Sequence, residues 1–257
     1  MHRNLCPDPM ETCAEVTRIR DAYQEYAARG FGTSRWSNAN RGNQAIQNER
    51  ELKTRKVLQR SGYFPLAARR ILDLGCGAGE QLGLFLEWGA KSENLFGIDL
   101  IPERISAARR MFPRITFQLA NAESLPYADG AFDLVVVFTV FTSILNRQMA
   151  VNIGCEINRV LAPEGAVLWY DFRMNNPFNK HVRGMSRKQV QGLFPGFGVA
   201  LEAISLAPPL ARRLGVLTDC LYATLSSLPF LRTHLHGLLT KPWELPPASR
   251  AVPPHIS

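Results

Sequence analysis

Cysteine is scarce. The 257 residues hold five, at positions 6, 13, 76, 155 and 220, with no CxxC pair among them. That scatter excludes a disulfide framework and the common zinc knuckles, and it predicts reduced thiols. Long apolar runs are missing as well. No uninterrupted stretch approaches the ~18 residues a membrane-spanning helix needs. The opening residues MHRNLCPDPMETC contain no apolar stretch, so no secretion signal is expected and a cytoplasmic setting is. There is no run of five like charges, no low-complexity tract, and no internal repeat at a period of roughly 20 to 50 residues. Collagen-like, fibrous and solenoid architectures are therefore out.

What is present is ordinary globular composition: 46% hydrophobic and 20% charged residues, enough to bury a core without staples. The net charge is +8, but it is unevenly spread. Residues 1–68 carry 11 basic and 7 acidic side chains, residues 69–172 carry 9 and 12, and residues 173–257 carry 10 and 3. A mildly acidic centre thus lies between basic flanks. Such flanks suit an anionic partner or simply a solvated surface; unclustered as they are, they do not favour a nucleic acid.

The first 68 residues read as helical. Val16, Ile19, Tyr23, Tyr26 and Ala27 share one helix face, with Gly30 and Gly32 as a stop. A second helix is predicted from about Gln44 to Arg60. From Arg69 onward, short apolar runs (69–74, 94–100, 114–120, 132–140, 165–172) alternate with helical stretches (80–90, 102–112, 145–161). Continuous apolar strands separated by helices predict a doubly wound, mostly parallel α/β sheet covered on both faces. Further on come a short helix (185–194), a strand (198–206), one long amphipathic helix (208–228) and a last strand (233–241). The 208–228 helix is apolar on one face with Arg212 and Arg213 near its start. We read it as covering the sheet, a membrane-surface role being the rival. The expected division is 1–68 as a helical cap, 69–241 as the ligand-binding domain, and 242–257 as a Pro-rich tail.

The most informative stretch is Asp73-Leu74-Gly75-Cys76-Gly77-Ala78-Gly79, closing one strand and opening a helix. Ligands bind there in such folds, and glycine lets them approach the backbone. A dinucleotide site wants G-x-G-x-x-G facing a pyrophosphate. Here the spacing is G-x-G-x-G, and Asp73 beside it suits a cationic group and repels a pyrophosphate. Asp99 ends the next strand, 24 residues after Gly75, where a carboxylate can accept from both ribose hydroxyls. An adenosine-type ligand without a pyrophosphate fits both marks.

With these residues the chain resembles the class I S-adenosylmethionine-dependent methyltransferases over residues 69–172. The resemblance implies a Rossmann-like fold of about seven strands with an N-terminal helical lid. It further implies S-adenosylmethionine as cofactor, with S-adenosylhomocysteine as product. Asp73, Gly75, Cys76, Gly77 and Gly79 match the methionine-holding motif, and Asp99 with Leu100 matches the ribose acid. Asn121-Ala122-Glu123, followed by Phe132-Asp133 and Phe138, is similar to the segment beside the adenine, though Asn121 stands where Asp is common. Leu161-Ala162-Pro163-Glu164-Gly165 resembles an L-x-P-G-G turn, with Glu164 replacing a glycine. The whole chain looks most like the small-molecule branch that acts on sugars and other natural products.

Methyl transfer to a hydroxyl needs alignment and a base. Two candidates are expected: Asp171, closing the fifth strand, and His181 in the loop beyond it. Arg173, Asn175, Asn176 and Asn179 form a polar cluster suited to a hydroxylated acceptor, or to building the turn around Pro177. Tyr23, Tyr26 and Trp36 can close over the cofactor or form the cap's own core. The Asn176-Pro177-Phe178 run lies after the wrong strand to grip a nucleobase. His234 and His236 would share one strand face but lack a third ligand, so no metal is expected. The expected partner is a small-molecule acceptor, with no nucleic acid, no stable membrane insertion and possible homodimerisation. An RNA or protein methyltransferase, a lipid methyltransferase on a membrane surface and a non-catalytic protein of the same fold remain the alternatives.

Overall fold

A computed structural model describes residues 9–28, 37, 39–176 and 179–242. Gly30, Gly32, Trp36, Pro177, Phe178 and the tail from residue 243 lie outside them. Two helices come first, α1 (Pro9–Ala28) and α2 (Arg41–Arg60). The second starts three residues earlier than its apolar spacing predicts. Asn40 supplies the reason: its side-chain oxygen accepts from the amides of Gly42 and Asn43, an N-cap that periodicity does not register.

A seven-stranded sheet follows, in the order β3-β2-β1-β4-β5-β7-β6. Its strands are β1 (Ile71–Leu74), β2 (Leu95–Asp99), β3 (Thr116–Leu119), β4 (Phe132–Phe138), β5 (Leu161–Phe172), β6 (Gly198–Leu206) and β7 (Arg232–Thr240). The first five are parallel neighbours, while β7 runs antiparallel between β5 and β6. This is the Rossmann-like doubly wound arrangement the alternation predicts. The helices between strands are α3 (Glu80–Glu87), α4 (Pro102–Met111), α5 (Arg147–Val160) and α6 (Arg187–Leu193).

The central strands are apolar throughout because both faces are covered. On β1 and β4, Leu72, Leu74, Val135 and Val137 enter one core with Ile153, Ile157 and Trp169. The alternate residues Ile71, Leu134 and Val136 enter the other, with Leu82, Phe85, Ile105 and Leu58. Each such buried aliphatic contributes about 1.5–3 kcal/mol relative to exposure. The strand order reverses between β1 and β4, and that switch point leaves a crevice at the strands' carboxyl ends.

The long helix predicted over 208–228 is broken. It forms α7 (Pro208–Arg213), a single 3-10 turn (Gly215–Leu217) and α8 (Thr218–Ser226). Gly215 adopts φ +53, a left-handed conformation that ends a helix. The segment's inner side, Ala211 and Tyr222, packs with Ile46 of α2 and Leu206.

Candidate active site

The glycine turn after β1 is pinned from below. Gly75 and Cys76 both donate their amides to Ile98 O, at 2.8 and 2.9 Å, and Gly77 donates to Asp99 Oδ2 at 2.9 Å. Gly75, Gly77 and Gly79 all have positive φ, at +75, +58 and +91. Their tasks differ. A Cβ on Gly75 would stand 2.8 Å from Val140 Cγ2, and one on Gly79 would stand 2.9 Å from the Phe117 ring. Both glycines are required by packing. A Cβ on Gly77 would meet only Glu80 Oε2 at 3.9 Å, so that glycine alone leaves its backbone open to a ligand in the crevice. Cys76 is buried beside Gly97, and burial raises its thiol pKa far above the ordinary value.

Two adjoining hollows share Gly75, Arg104 and Phe138. One holds about 660 Å³ of empty space, lined by Asp99, Leu100, Asn121, Ala122, Thr139 and Tyr23 among others. The other lies over the glycine turn, where Asp73, Cys76, Gly77 and Glu80 face Arg50 and Gln81. Asp99 is nearly buried; its two oxygens accept from the Gly77 and Ile101 amides, both at 2.9 Å, leaving a lone pair on each.

The second hollow is electrostatically incomplete. Burial, then the nearby Asp99 and Glu80 carboxylates, push Asp73 up to about 8, with Arg50 opposing. Arg50 Nε and Gln81 Nε2 are buried there without a hydrogen-bond partner. A buried carboxyl group, ready to ionise beside a cation, and two unsatisfied donors fit an amino-acid zwitterion, its ammonium held by Asp73 and its carboxylate by Arg50 and Gln81. With the ribose acid Asp99 one strand away, the residues present fit S-adenosylmethionine. When bound, the cofactor supplies a sulfonium-activated methyl group; every other contribution comes from the chain.

Helix α1 roofs the first hollow with Ile19 and Tyr23. It is held by Glu15, whose carboxylate accepts from Leu145 N (2.5 Å) and Asn146 N (3.2 Å) and pairs with Arg18. Burial works against that charge, but Arg18 and the two amides hold Glu15 below the usual carboxylate range. Arg18 also donates to Ser143 O at 2.6 Å. Arg104, from α4, lies 4.3 Å from the centre of the Tyr23 ring and 3.9 Å from Asp99 Oδ2.

Nine of the expected cofactor residues line the hollows: Asp73, Gly75, Cys76, Gly77, Asp99, Leu100, Asn121, Ala122 and Phe138. Glu123 stands behind them, bridging Asn121 and Asn152, and Gly79 packs against Phe117. The acceptor-side residues sit elsewhere. Asp171 has no exposed surface and does not line either hollow. Its carboxylate accepts from Thr142 Oγ1 (2.6 Å), Thr142 N (3.1 Å) and Phe172 N (2.8 Å). It therefore braces the turn at 141–143. Burial raises it to about 6 against those bonds. His181 pairs with Glu25 of α1, Nε2 to Oε2 at 3.3 Å, and its ring meets Tyr26 edge-on. Asn179 exchanges hydrogen bonds with Tyr26 Oη. Asn175 accepts from Gly184 N, Asn176 O accepts from Asn179 N, and Arg173 donates to Pro229 O. The structure thus gathers the post-β5 loop against α1, outside the cofactor hollows. Among the described residues, no three potential metal ligands cluster.

Fold and site together define the class: residues 72–169 form a methyltransferase domain, and its hollows fit S-adenosylmethionine as cofactor. Over the same residues the chain matches the family described as "Methyltransferase domain". It is 36% identical over 110 residues to a demethylmenaquinone methyltransferase of Thermus thermophilus, a match covering 41% of this chain and 48% of that one. It is 33% identical over 142 residues to a malonyl-[acyl-carrier protein] O-methyltransferase of Halorhodospira halophila, covering 53% and 45%. These matches span less than half of the relatives' own length. Among solved structures, a Burkholderia thailandensis 1,6-didemethyltoxoflavin-N1-methyltransferase with bound S-adenosylhomocysteine shares the fold. Its TM-score is 0.59 at 18% identity, covering 94% of this chain and 93% of that one.

Proposed function

We propose that this chain transfers a methyl group to an oxygen of a small hydroxylated acceptor, a sugar-containing compound or another natural product. The observation that carries this reading is the polar junction between α1 and the post-β5 loop, where Glu25, Tyr26, Asn179 and His181 meet. It stands one ring from the cofactor hollow, because Tyr26 packs edge-on against Tyr23 at 5.7 Å. Amides and hydroxyls at that rim suit an acceptor rich in hydroxyls. His234 and His236 are buried in the sheet, whereas His181 keeps solvent access. In this reading Glu25 accepts from His181 Nε2–H, which leaves Nδ1 to take the proton as the acceptor oxygen forms its bond to the methyl carbon and the sulfur–carbon bond breaks. Asp171 acts through the 141–143 turn, as a positioning residue.

The test is to incubate the purified protein with methyl-labelled S-adenosylmethionine and a panel of sugars, glycosides and phenols. A base-stable methyl ether is expected. A ring C-methyl product, or a base-labile methyl ester, would overturn the reading. His181→Ala should lower turnover by roughly 10²-fold while leaving S-adenosylhomocysteine affinity unchanged.

A further inference from the structure

Strands β6 and β7 are antiparallel neighbours, and a two-residue hairpin would suffice to join them. The chain instead spends residues 207–231 there, on α7, α8, two single 3-10 turns (Gly215–Leu217 and Pro229–Leu231) and short links between them. The register fixes where this insertion stands. Phe172, at the carboxyl end of β5, pairs with His234, and Leu206 pairs with Arg232. The insertion therefore emerges at the same end of the sheet as the cofactor crevice.

Its two sides are used differently. The inner side, including Ala211, Thr218, Tyr222 and Ser226, is buried. The outer side exposes Val216 (78%), Leu217 (54%) and Phe230 (71%), with Leu221 and Leu228 also exposed. Next to it lies the post-β5 loop with exposed Met174; Arg173 of that loop reaches Pro229 O at 3.5 Å. Isolated exposed leucines are normal, but five large apolar side chains exposed within residues 216–230 mark an interaction surface.

Charge says which partner. From residue 214 to 231 the sole ionisable acid is Asp219, and Arg41 pairs with it at 3.2 Å. Glu202 on the neighbouring strand is taken by Lys53. Within residues 207–231 Arg212 and Arg213 stand against Asp219 alone, and Arg213 is exposed three residues before Val216. A second copy of this chain would bring the same arginines against one another, on a molecule of net charge +8. An anionic lipid surface complements both features, apolar side chains entering the headgroup layer and arginines meeting phosphate.

We propose that the 207–231 insertion docks the protein reversibly onto anionic membranes, turning the crevice end of the sheet toward the lipid. No helix among the described residues is long and apolar enough to cross a membrane, so attachment is at the surface. The proposal is independent of which acceptor is methylated.

Flotation of the full chain tests it, using vesicles of phosphatidylcholine with or without phosphatidylglycerol. Wild type should float with the anionic vesicles, much less with neutral ones, and less at high salt. Val216→Asp with Phe230→Asp should stay in the soluble fraction while titrating S-adenosylhomocysteine like wild type. Arg213→Ala should bind the anionic vesicles roughly fivefold more weakly. If the double variant fails to bind S-adenosylhomocysteine, the single Phe230→Ser takes its place. Wild type that stays soluble with anionic vesicles, flotation unchanged in the variant, or a dimer in sedimentation that the variant dissociates would each overturn the proposal.

Discussion

At the residue scale, Asp73 works against the stability of the ligand-free fold. Its carboxyl is buried beside two other acids and raised to about 8, so the native state holds a proton that the unfolded chain releases above about pH 4. Its contribution therefore falls as pH rises from there toward 8. Asp73→Asn should raise the melting temperature of the free protein at pH 8 and abolish S-adenosylmethionine binding. A variant less stable than wild type at that pH would refute the assignment. The glycine turn, Asp73 and Asp99 were legible because they are consecutive or tied to one strand end. Arg50 was not, because a helix distant in sequence brings it in, and neither were Gln81 and Arg104, which lie on the helices just after the turn and after Asp99 but carry no spacing signal of their own. One signal for Arg50 was available. It lies four residues after Ile46 and four before Thr54, on the buried stripe of α2, where an arginine needs a reason.

At the element scale, α1 is a roof held by polar contacts from Glu15, Arg18, Glu25 and Tyr26. Glu15 supplies its charged anchor, accepting from two amides at the start of α5, with Arg18 of the same helix pairing with it and reaching Ser143 O. Glu15→Gln weakens charge-assisted bonds worth about 1.5–3 kcal/mol. We expect S-adenosylhomocysteine to bind about tenfold more weakly and α1 to become more open to protease. Unchanged affinity would mean that the roof contributes nothing to retention. The helical nature of α1 was legible from its apolar spacing, but its anchor was not, since Glu15 pairs with residues about 130 positions away. The break in the 208–228 helix was hidden for a different reason. Periodicity reads through a single glycine, and only the φ of Gly215 reveals the stop.

At the scale of the whole molecule, alternation of strand and helix was enough to predict the parallel core. It did not predict that β7 would insert between β5 and β6, because pairing of that kind is non-local. That insertion buries two histidines. Burial holds His234 at about 3 and His236 at about 4, below the ordinary value of about 6.5. Both rings thus stay neutral in the folded protein while the unfolded chain takes up protons below about pH 6.5. Their contribution is present at neutral pH and lost as pH falls below 6.5. Relative to wild type, His234→Phe should lose about 2 kcal/mol less stability between pH 7 and 5, as read from urea unfolding at the two pH values. Equal losses would mean that His234 is not the titrating group. The antiparallel β7 has one more consequence, for handling the protein. Thr240 pairs with Ala166 and Gly198 at the amino ends of the parallel strands, the far pole from the crevice, whereas α1 closes over the crevice itself. A purification tag or reporter joined after β7 therefore leaves the entrance clear, and one joined ahead of α1 competes with the roof.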